Sequence, residues 1–208
     1  RVIKNIEECV PFKDQKSITW INVDGLKETT LIAKLDHLFG VHPLVLEDIV
    51  NTDQRPKMED YGDYIYIVLK MLYLDPRTQD IISEQLSLII GTNYVLSFQE
   101  KEGDYFDNIR GRIRYNKGRV RTMGADYLAY VLLDTIADNY FLVLEKIEED
   151  IAQVEDRLMG AANVHASDIH HLKRELISLR KQVSPVRELV NALQRADALL
   201  HVVRAFDN

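Results

Sequence analysis

The chain has 208 residues, of which 46% are hydrophobic, so it is long and apolar enough to bury a sizeable core and is not disordered. Its formal net charge is −7, which argues against general nucleic-acid binding and is compatible with cations as ligands. The single cysteine, Cys9, excludes an intrachain disulfide and a multi-cysteine zinc site, and it favours a reducing compartment.

The first elements along the chain are a strand and a helix. Residues 17–23, SITWINV, predict a strand, and Asp24-Gly25 after them is a turn signal. Residues 30–39 predict a helix because their apolar side chains recur at helical spacing. Gly40 follows directly, in the position where a glycine commonly ends a helix.

Residues 42–57, HPLVLEDIVNTDQRPK, begin with a second helix. Pro43 would lie in its first turn, where a missing backbone N–H costs nothing. Glu47 and Asp48 lie at the edge of the apolar face and are candidate ligands for a hard cation such as Mg²⁺, which prefers carboxylates and retained waters. The alternative is a helix rim with solvated acids. The apolar residues that predict a broad buried face are Leu44, Val45, Leu46, Ile49 and Val50.

The middle of the chain predicts a sheet. After Pro56 directs the chain toward a strand, residues 64–73 form a long apolar run that we expect to be a strand buried on both faces. Residues 84–90 and 93–99 flank Gly91-Thr92 and predict a β-hairpin. Because the order is not a repeating βαβ, we predict an α/β fold with a mixed parallel and antiparallel sheet over residues 1–124.

A basic helix is predicted at residues 104–115, where Arg110, Arg112 and Arg114 lie close together. On so acidic a chain, these arginines favour a solvated face or pairs with neighbouring acids. The alternative is a phosphate-binding patch.

From Asp126 onward the pattern is that of long helices, and residues 125–200 predict an antiparallel helical hairpin. The first helix carries Asp134 and Asp138 one turn apart. Both arms then show the spacing of three and four residues that is typical of a coiled coil. The outgoing stripe is Leu144, Ile147, Ile151, Val154 and Leu158, and the returning stripe is Leu172, Leu176, Leu179, Val183, Val186, Val190 and Leu193.

Charge also differs between the two arms. We expect the acids of the outgoing arm to pair with the bases of the returning arm. The alternative is that the acid-rich helix concentrates divalent cations near the surface. The acids are Glu145, Glu148, Glu149, Asp150, Glu155 and Asp156, and the bases are Lys173, Arg174, Arg180, Lys181 and Arg187.

The sequence predicts no enzyme and no membrane span. It contains no phosphate loop, no dinucleotide-binding glycine motif, no HExxH and no GxSxG. It carries no signal peptide, and no run approaches the roughly 18 apolar residues that a span requires. If the protein works at a membrane, we expect its membrane part to be missing from this sequence.

Four blocks of the sequence resemble the cytoplasmic domain of CorA magnesium transporters. They are TWINVDGL, FGVHPLVLEDIVNTDQRPKMEDYGDYIYIVLKMLYLD, SEQLSLIIGTNYVLSFQE and RIRYNKGRVRTMGADYLAYVLLD. The likeness runs from about residue 17 to residue 200, and the blocks occur in the family's order. The acidic outgoing arm and the basic returning arm also match the family's paired arm helices.

The resemblance implies a fold and a function. Each subunit of the family has an N-terminal α/β/α domain, with the sheet sandwiched between helices, then an arm pair, a stalk helix and two membrane spans. Members are homopentameric channels for Mg²⁺, some also passing Co²⁺ or Ni²⁺. Mg²⁺ bound between neighbouring domains holds the pore closed, which gives negative feedback. The resemblance therefore implies a soluble fragment at the cytoplasmic face of the inner membrane, without nucleic-acid partners, that forms a pentamer in the full-length protein.

The family's metal ligands transfer by position. The inter-subunit aspartate of the family corresponds to Asp48, and Glu47 beside it matches a second-site carboxylate. The aspartate of the helix after ADYL corresponds to Asp134, and Asp138 lies one turn later. Asp53 replaces a second-site histidine of some members, which keeps a hard oxygen ligand.

The C-terminal residues depart from the family pattern. HVVRAFDN does not continue naturally from LQRADALL, so we expect a run of residues to be missing between Leu200 and His201. That run would contain the stalk aspartate that faces the Asp48 position. Residues 201–208 would then be a stalk fragment, and His201 would match the histidine one turn beyond that aspartate.

Two other functions are compatible with the sequence. The chain could be the cytoplasmic funnel of a zinc-transporting relative that lacks magnesium gating. It could also be an interaction module that binds a partner through its helical hairpin. The blocks HPLVLED and QRPK favour the magnesium branch.

Overall fold

The computed structural model describes residues 3, 5–13, 15–101, 103, 105–160 and 166–186. His201, the expected gap after Leu200 and the stripe residues Val190 and Leu193 lie outside the described residues. A short 3₁₀ turn at Ile6–Cys9 precedes the regular elements. These elements are α1 Val10–Lys13, β1 Thr19–Asp24, α2 Thr29–Ala33, α3 Leu35–Phe39, α4 Pro43–Val50, β2 Lys57–Asp60, β3 Tyr64–Leu74, β4 Ile81–Gly91, β5 Tyr94–Gln99, α5 Asp107–Arg114, α6 Ala125–Met159 and α7 Ala166–Val183.

The five strands form one sheet in the order β1-β5-β4-β3-β2. The pair β1 and β5 is parallel, and the other three neighbouring pairs are antiparallel. The predicted mixed sheet is therefore confirmed. The hairpin of β4 and β5 is also confirmed, with its turn at Thr92 and Asn93 because Gly91 still belongs to β4.

Helices cover both faces of this sheet. Alternate residues of β3 point to opposite faces, so Ile67 and Leu69 pack with α5 and α6, while Tyr66 and Val68 pack with α2, α3 and α4. Most of β3 is buried, as predicted for a strand covered on both sides. The sheet sandwiched between helices, which the family resemblance implied, is confirmed.

The helix predicted at residues 30–39 is divided into α2 and α3 at Lys34. Gly40 ends α3 with φ 68°, a left-handed conformation that a glycine adopts without steric cost. The prediction of one continuous helix was wrong, but its end point was right. Apolar spacing alone does not show such a break, because both pieces keep their apolar side facing the sheet.

The first turn of α4 has the predicted form. His42 is the N-cap, its Nδ1 accepts a hydrogen bond from Leu44 N at 3.2 Å, and Pro43 follows as the first helical residue. The predicted buried face was too broad. Leu44 is 60% exposed and Val50 is 40% exposed, because a helix lying on a sheet buries one side only.

The arms α6 and α7 pack through an apolar contact that includes Ile147, Ile151, Leu179 and Val183 of the predicted stripes and departs from the stripes elsewhere. Val143 and Ile147 are buried against Leu179 and against Leu72 of the sheet, whereas Leu144 and Leu158 are exposed. On the returning arm Leu176 is also exposed. The predicted stripes assumed that the two helices contact only each other. The first part of α6 also packs on the sheet, so Val143 is buried where the stripe predicted Leu144. The division at residues 124 and 200 stays a prediction.

Within the described residues, an ion pair between the arms has its base on the outgoing arm and its acid on the returning arm, the reverse of the prediction. Arg157 Nη1 of the outgoing arm lies 3.0 Å from Asp168 Oδ2 of the returning arm. Lys146 pairs with Asp150 within α6 instead of reaching across. The expectation that outgoing acids pair with returning bases is therefore not met at this contact, because neighbours within one helix compete for the same charges.

The basic helix α5 turns one arginine toward the core. The guanidinium of Arg110 lies 5.4 Å from the centre of the Trp20 ring, and its Nη1 is 3.8 Å from Asp107 Oδ1. This cation–π contact favours the structural interpretation of the basic helix. The phosphate-binding alternative is not needed to explain Arg110.

Within the part of the chain that the structure describes, one helix meets the length and composition expected of a membrane span. In α6, the most apolar window of 18 residues has a mean hydropathy of 1.3, and 39% of that window is buried. This corrects the expectation that no segment approaches a span. Leu128, Ala129 and Leu132 of α6 pack on the sheet, and core helices meet the same two criteria.

Gly91, the last residue of β4, permits the ring of Tyr94 to approach the backbone closely across the β4–β5 turn. A Cβ atom at this position would overlap the ring of Tyr94, which is buried and packs edge-to-face on Phe39 at 5.2 Å. The ring therefore has little room to move away.

We predict that Gly91→Ala lowers the free energy of unfolding by about 1–3 kcal/mol, because the added methyl group overpacks the core. Gly111→Ala is the matched control, since nothing lies within 4 Å of its added Cβ and it is inside α5. The control should raise stability by about 0.5–1 kcal/mol. Urea unfolding of both variants measures the two effects, and equal effects would contradict the overlap.

Glu84 is a fully buried acid on the α5–α6 face of β4. Among the described residues, neither of its carboxylate oxygens has a hydrogen-bond partner of ordinary geometry, although the Tyr73 hydroxyl is near enough to oppose the rise in the pKa of Glu84. Burial raises the pKa of Glu84 to about 7, with Lys101 opposing the shift and Glu100 and Asp24 adding to it. Just below neutral pH the folded chain therefore retains a proton at Glu84 that the unfolded chain releases.

The sign of the pH dependence follows from this raised pKa. Between pH 4.5 and about 7 the folded state binds the additional proton, so Glu84 lowers stability as the pH rises through that window. Glu84→Gln keeps the shape without the charge. We predict that its advantage over the wild type grows by about 2 kcal/mol between pH 5 and pH 8. The exposed Glu149→Gln serves as control in urea unfolding, and a Glu84→Gln advantage that did not vary with pH would refute the assignment.

Candidate functional site

The helix α4, which carries Glu47 and Asp48, is fixed to the sheet at both ends. At its start, His42 N donates to Tyr64 Oη at 2.9 Å. At its end, Gln85 Nε2 donates to the backbone oxygen of Asp48 at 3.0 Å. A helix of eight residues cannot hold its own position, so these contacts place the two acids.

Gln85 is a site residue that sequence reasoning missed. It is 1% exposed, and its Oε1 accepts a hydrogen bond from Gln54 N at 3.2 Å in the loop after α4. Its side chain therefore joins the end of the helix to the following loop. The available signal was a glutamine within the apolar run of residues 84–90, since buried amides require partners.

The carboxylate of Asp48 lies at a partly exposed rim between α4 and the edge strand β2. Its Oδ2 is 2.6 Å from Lys57 Nζ, and its side chain is 22% exposed. Lys57 Nζ also lies 2.8 Å from Glu59 Oε1, and the Tyr61 hydroxyl donates to Glu59 Oε2 at 3.1 Å. The hydrogen bond from Lys57 keeps the pKa of Glu59 below its ordinary value.

Two more of the sequence-predicted ligands lie near this rim. Glu47 precedes Asp48 on α4 and is exposed. Asp53 is exposed in the loop after α4, where its backbone N donates to Asn51 Oδ1 at 3.3 Å. Both carboxylates are accessible from solvent.

The remaining described ligands lie on the other side of the sheet. Asp134 and Asp138 are exposed on α6, and the Tyr130 hydroxyl donates to Asp134 Oδ1 at 3.3 Å. The helices α6 and α4 pack on opposite faces of the sheet. Within one chain, the sheet therefore separates Glu47 and Asp48 from Asp134 and Asp138.

Within the described residues, no group of three or more histidine, cysteine or acidic side chains could hold a metal ion. The predicted ligands are instead divided between the two sides, with Glu47, Asp48 and Asp53 near α4 and Asp134 and Asp138 on α6. Mg²⁺ is commonly bound by one or two carboxylates and several waters, so this donor set fits a share of a Mg²⁺ site. A site with more protein ligands would need groups from a second chain.

The chain matches the family described as CorA-like Mg²⁺ transporter protein over residues 15–202. The chain belongs to this family. It is 45% identical over 192 residues to the cobalt/magnesium transport protein CorA of Thermotoga maritima, an alignment that covers 92% of this chain and 55% of that protein. The chain thus spans just over half the length of this relative.

Solved structures agree on the fold. The soluble domain of CorA from Methanocaldococcus jannaschii is 20% identical, with a TM-score of 0.67 over 84% of this chain and 69% of that chain. The cytoplasmic domain of ZntB from Vibrio parahaemolyticus is 15% identical, with a TM-score of 0.66 over 88% of this chain and 72% of that chain. At these identities the likeness shows the fold alone and does not separate the CorA branch from ZntB.

We predict that Gln85→Met, which keeps the side-chain volume, lowers the free energy of unfolding by about 1–3 kcal/mol, since it leaves buried backbone groups without partners. Hydrogen exchange at Pro43–Val50 should accelerate. Gln99→Met is the matched control, because Gln99 is also buried and accepts from Asn22 Nδ2 and donates to Gly103 O. The control should lose stability without faster exchange in α4, and equal exchange in both variants would contradict the role of Gln85.

Proposed function

We propose that this chain is the metal-sensing part of a CorA-type magnesium transporter, at the cytoplasmic face of the membrane. Membership of the family supports the general assignment. The observation that carries the sensing role is the distribution of acids. Glu47 and Asp48 lie on one side of the sheet and Asp134 and Asp138 on the other, all accessible to solvent.

Acids on opposite sides of one domain can meet only when two copies of the domain come together. In a ring of subunits, the α4 side of one domain would face the α6 side of its neighbour. The exposed side chains of Phe141 and Leu142, one turn beyond Asp138, support this packing because an interface would cover them. Glu47, Asp53, Asp134 and Asp138 would then contribute to one inter-subunit site, with His201 as a further ligand.

Asp48 would belong to a separate site. By the family resemblance, its partner is a stalk aspartate of the neighbouring subunit. The ion there would be held by carboxylates and retained waters, and Co²⁺ could substitute for Mg²⁺. Weak binding of this kind suits a sensor of cellular Mg²⁺.

The physical basis of gating would be charge repulsion. Without the ion, carboxylates of neighbouring subunits repel one another and loosen the interface. A divalent ion removes that repulsion, so it stabilises the closed assembly by mass action. Closure requires that the ion bind the closed arrangement more tightly than the open one. The transported ion would thereby inhibit its own uptake, in a homopentamer in the full-length protein.

We predict that Mg²⁺ protects the full-length transporter against limited proteolysis and that Asp48→Asn raises the Mg²⁺ midpoint of this protection by roughly tenfold or more. The control is Glu28→Ala, since Glu28 is an exposed acid at the start of α2 and is not one of the predicted ligands. Wild-type protein without Mg²⁺ protection, or an Asp48→Asn variant with an unchanged midpoint, would exclude sensing through Asp48.

A zinc-transporting relative is the second candidate, and the likeness to the ZntB cytoplasmic domain supports it at the level of the fold. Uptake of Mg²⁺ and Zn²⁺ by vesicles that contain the full-length protein separates the two candidates. Zinc uptake without magnesium uptake would favour the second.

A further inference from the structure

The ammonium group of Lys57 forms an ion pair with Asp48, the carboxylate that would bind the ion in the proposed sensor. Its Nζ is 2.6 Å from Asp48 Oδ2 and 2.8 Å from Glu59 Oε1, so one ammonium joins two carboxylates. The three charges sum to −1. The ammonium thus occupies a position on Asp48 where a divalent cation would also bind.

The position of Lys57 is fixed by the fold. It belongs to the edge strand β2, where it pairs with Val68 of β3, and its side chain lies on the α4 side of the sheet. Its Nζ is 5.8 Å from the centre of the buried Tyr66 ring. At 31% exposure the side chain is partly buried, but it can still move toward solvent.

We propose that Lys57 is a tethered competitor of the divalent ion at Asp48, which sets the affinity of the sensor. The proposal rests on the proposed function. Without the ion, Lys57 neutralises and orients Asp48. When the ion binds, Lys57 leaves Asp48, so the affinity for the ion is lower than that of a bare carboxylate.

Glu59 makes this displacement possible. A lysine that lost its only acid partner at a partly buried site would leave an uncompensated charge, which is unfavourable. Lys57 keeps Glu59 as a second partner, and the Tyr61 hydroxyl holds the other oxygen of that carboxylate at 3.1 Å. Lys57 therefore moves between a shared state on two acids and a state on Glu59 alone.

The test uses the full-length transporter and the Mg²⁺ midpoint of proteolytic protection. Lys57→Gln should lower the midpoint by about tenfold, as expected for removal of a unit charge roughly 5 Å from a divalent ion. Lys57→Arg keeps the charge and should not lower the midpoint. Glu59→Gln should raise it, because the displaced lysine loses its second partner. Lys34→Gln, which removes a lysine paired with Glu7 elsewhere, controls for net charge and should leave the midpoint unchanged.

A second readout compares the metal-free protein with the protein saturated with Mg²⁺. In urea unfolding with a chelator, Lys57→Gln and Asp48→Asn should be non-additive, because each removes the same ion pair. Saturating Mg²⁺ should abolish this non-additivity in the assembled protein. Loss of coupling between the two positions without metal would overturn the proposal.

The outcomes separate this inference from the proposed function. If the wild type is protected by Mg²⁺ through Asp48 but Lys57→Gln leaves the midpoint unchanged or raises it, the competitor role of Lys57 is wrong and sensing stands. If the wild type shows no response to Mg²⁺, the proposed function fails first. A Lys34→Gln effect as large as that of Lys57→Gln would reduce the role of Lys57 to general charge and overturn the proposal.

Discussion

The position of α4 depends on polar side chains of the sheet that lie among the apolar residues on the face that α4 covers. Gln85 and Tyr64 bond to the two ends of the segment, and Lys70 Nζ donates to the backbone oxygen of Thr52 beyond it. A helix of two turns has too few internal hydrogen bonds to be stable alone, so its geometry comes from these contacts and from Val45 and Ile49 in the core. The buried amide of Gln85 is favourable only because both of its ends are bonded.

This arrangement has a consequence for any ion that binds at the rim. Asp48 lies on the helix whose last carbonyls Gln85 holds, and Lys57 lies on the strand that follows the Gln54 loop. Gln85 therefore helps to hold the Asp48 side of this ion pair, while the pairing of β2 with β3 holds the Lys57 side. A change in the distance between Asp48 and Lys57 would alter the energy of their ion pair, and therefore the energy that an ion must overcome to displace Lys57. The affinity of the proposed site would therefore depend on the sheet as well as on the acids.

Local rules explain which features could be predicted from the sequence. The start of α4 at Pro43, the end of α3 at Gly40 and the buried strand β3 depend on residues close together in the chain, and the structure has all three. Features that depend on distant partners were missed. The apolar contact of α6 with α7 includes Val143, because α6 must also pack on the sheet. The spacing of apolar residues within the arm does not show this second contact. Gln85 was missed for the same reason, since its partners lie more than 30 residues earlier.

The placement of the acids follows from the topology and not from any motif. Glu47 and Asp48 precede an edge strand, whereas Asp134 and Asp138 come after the sheet is complete, on the helix that crosses its other face. The family resemblance makes all four candidate ligands, but the sheet keeps the two pairs apart in one chain. In the proposed sensor, the site shared by Glu47, Asp53, Asp134 and Asp138 would require two copies of the domain, because a single copy cannot bring both sides of its sheet to the same ion. In such a sensor, the ion concentration would set the strength of the contact between subunits, which is the quantity that the proposed gate must change.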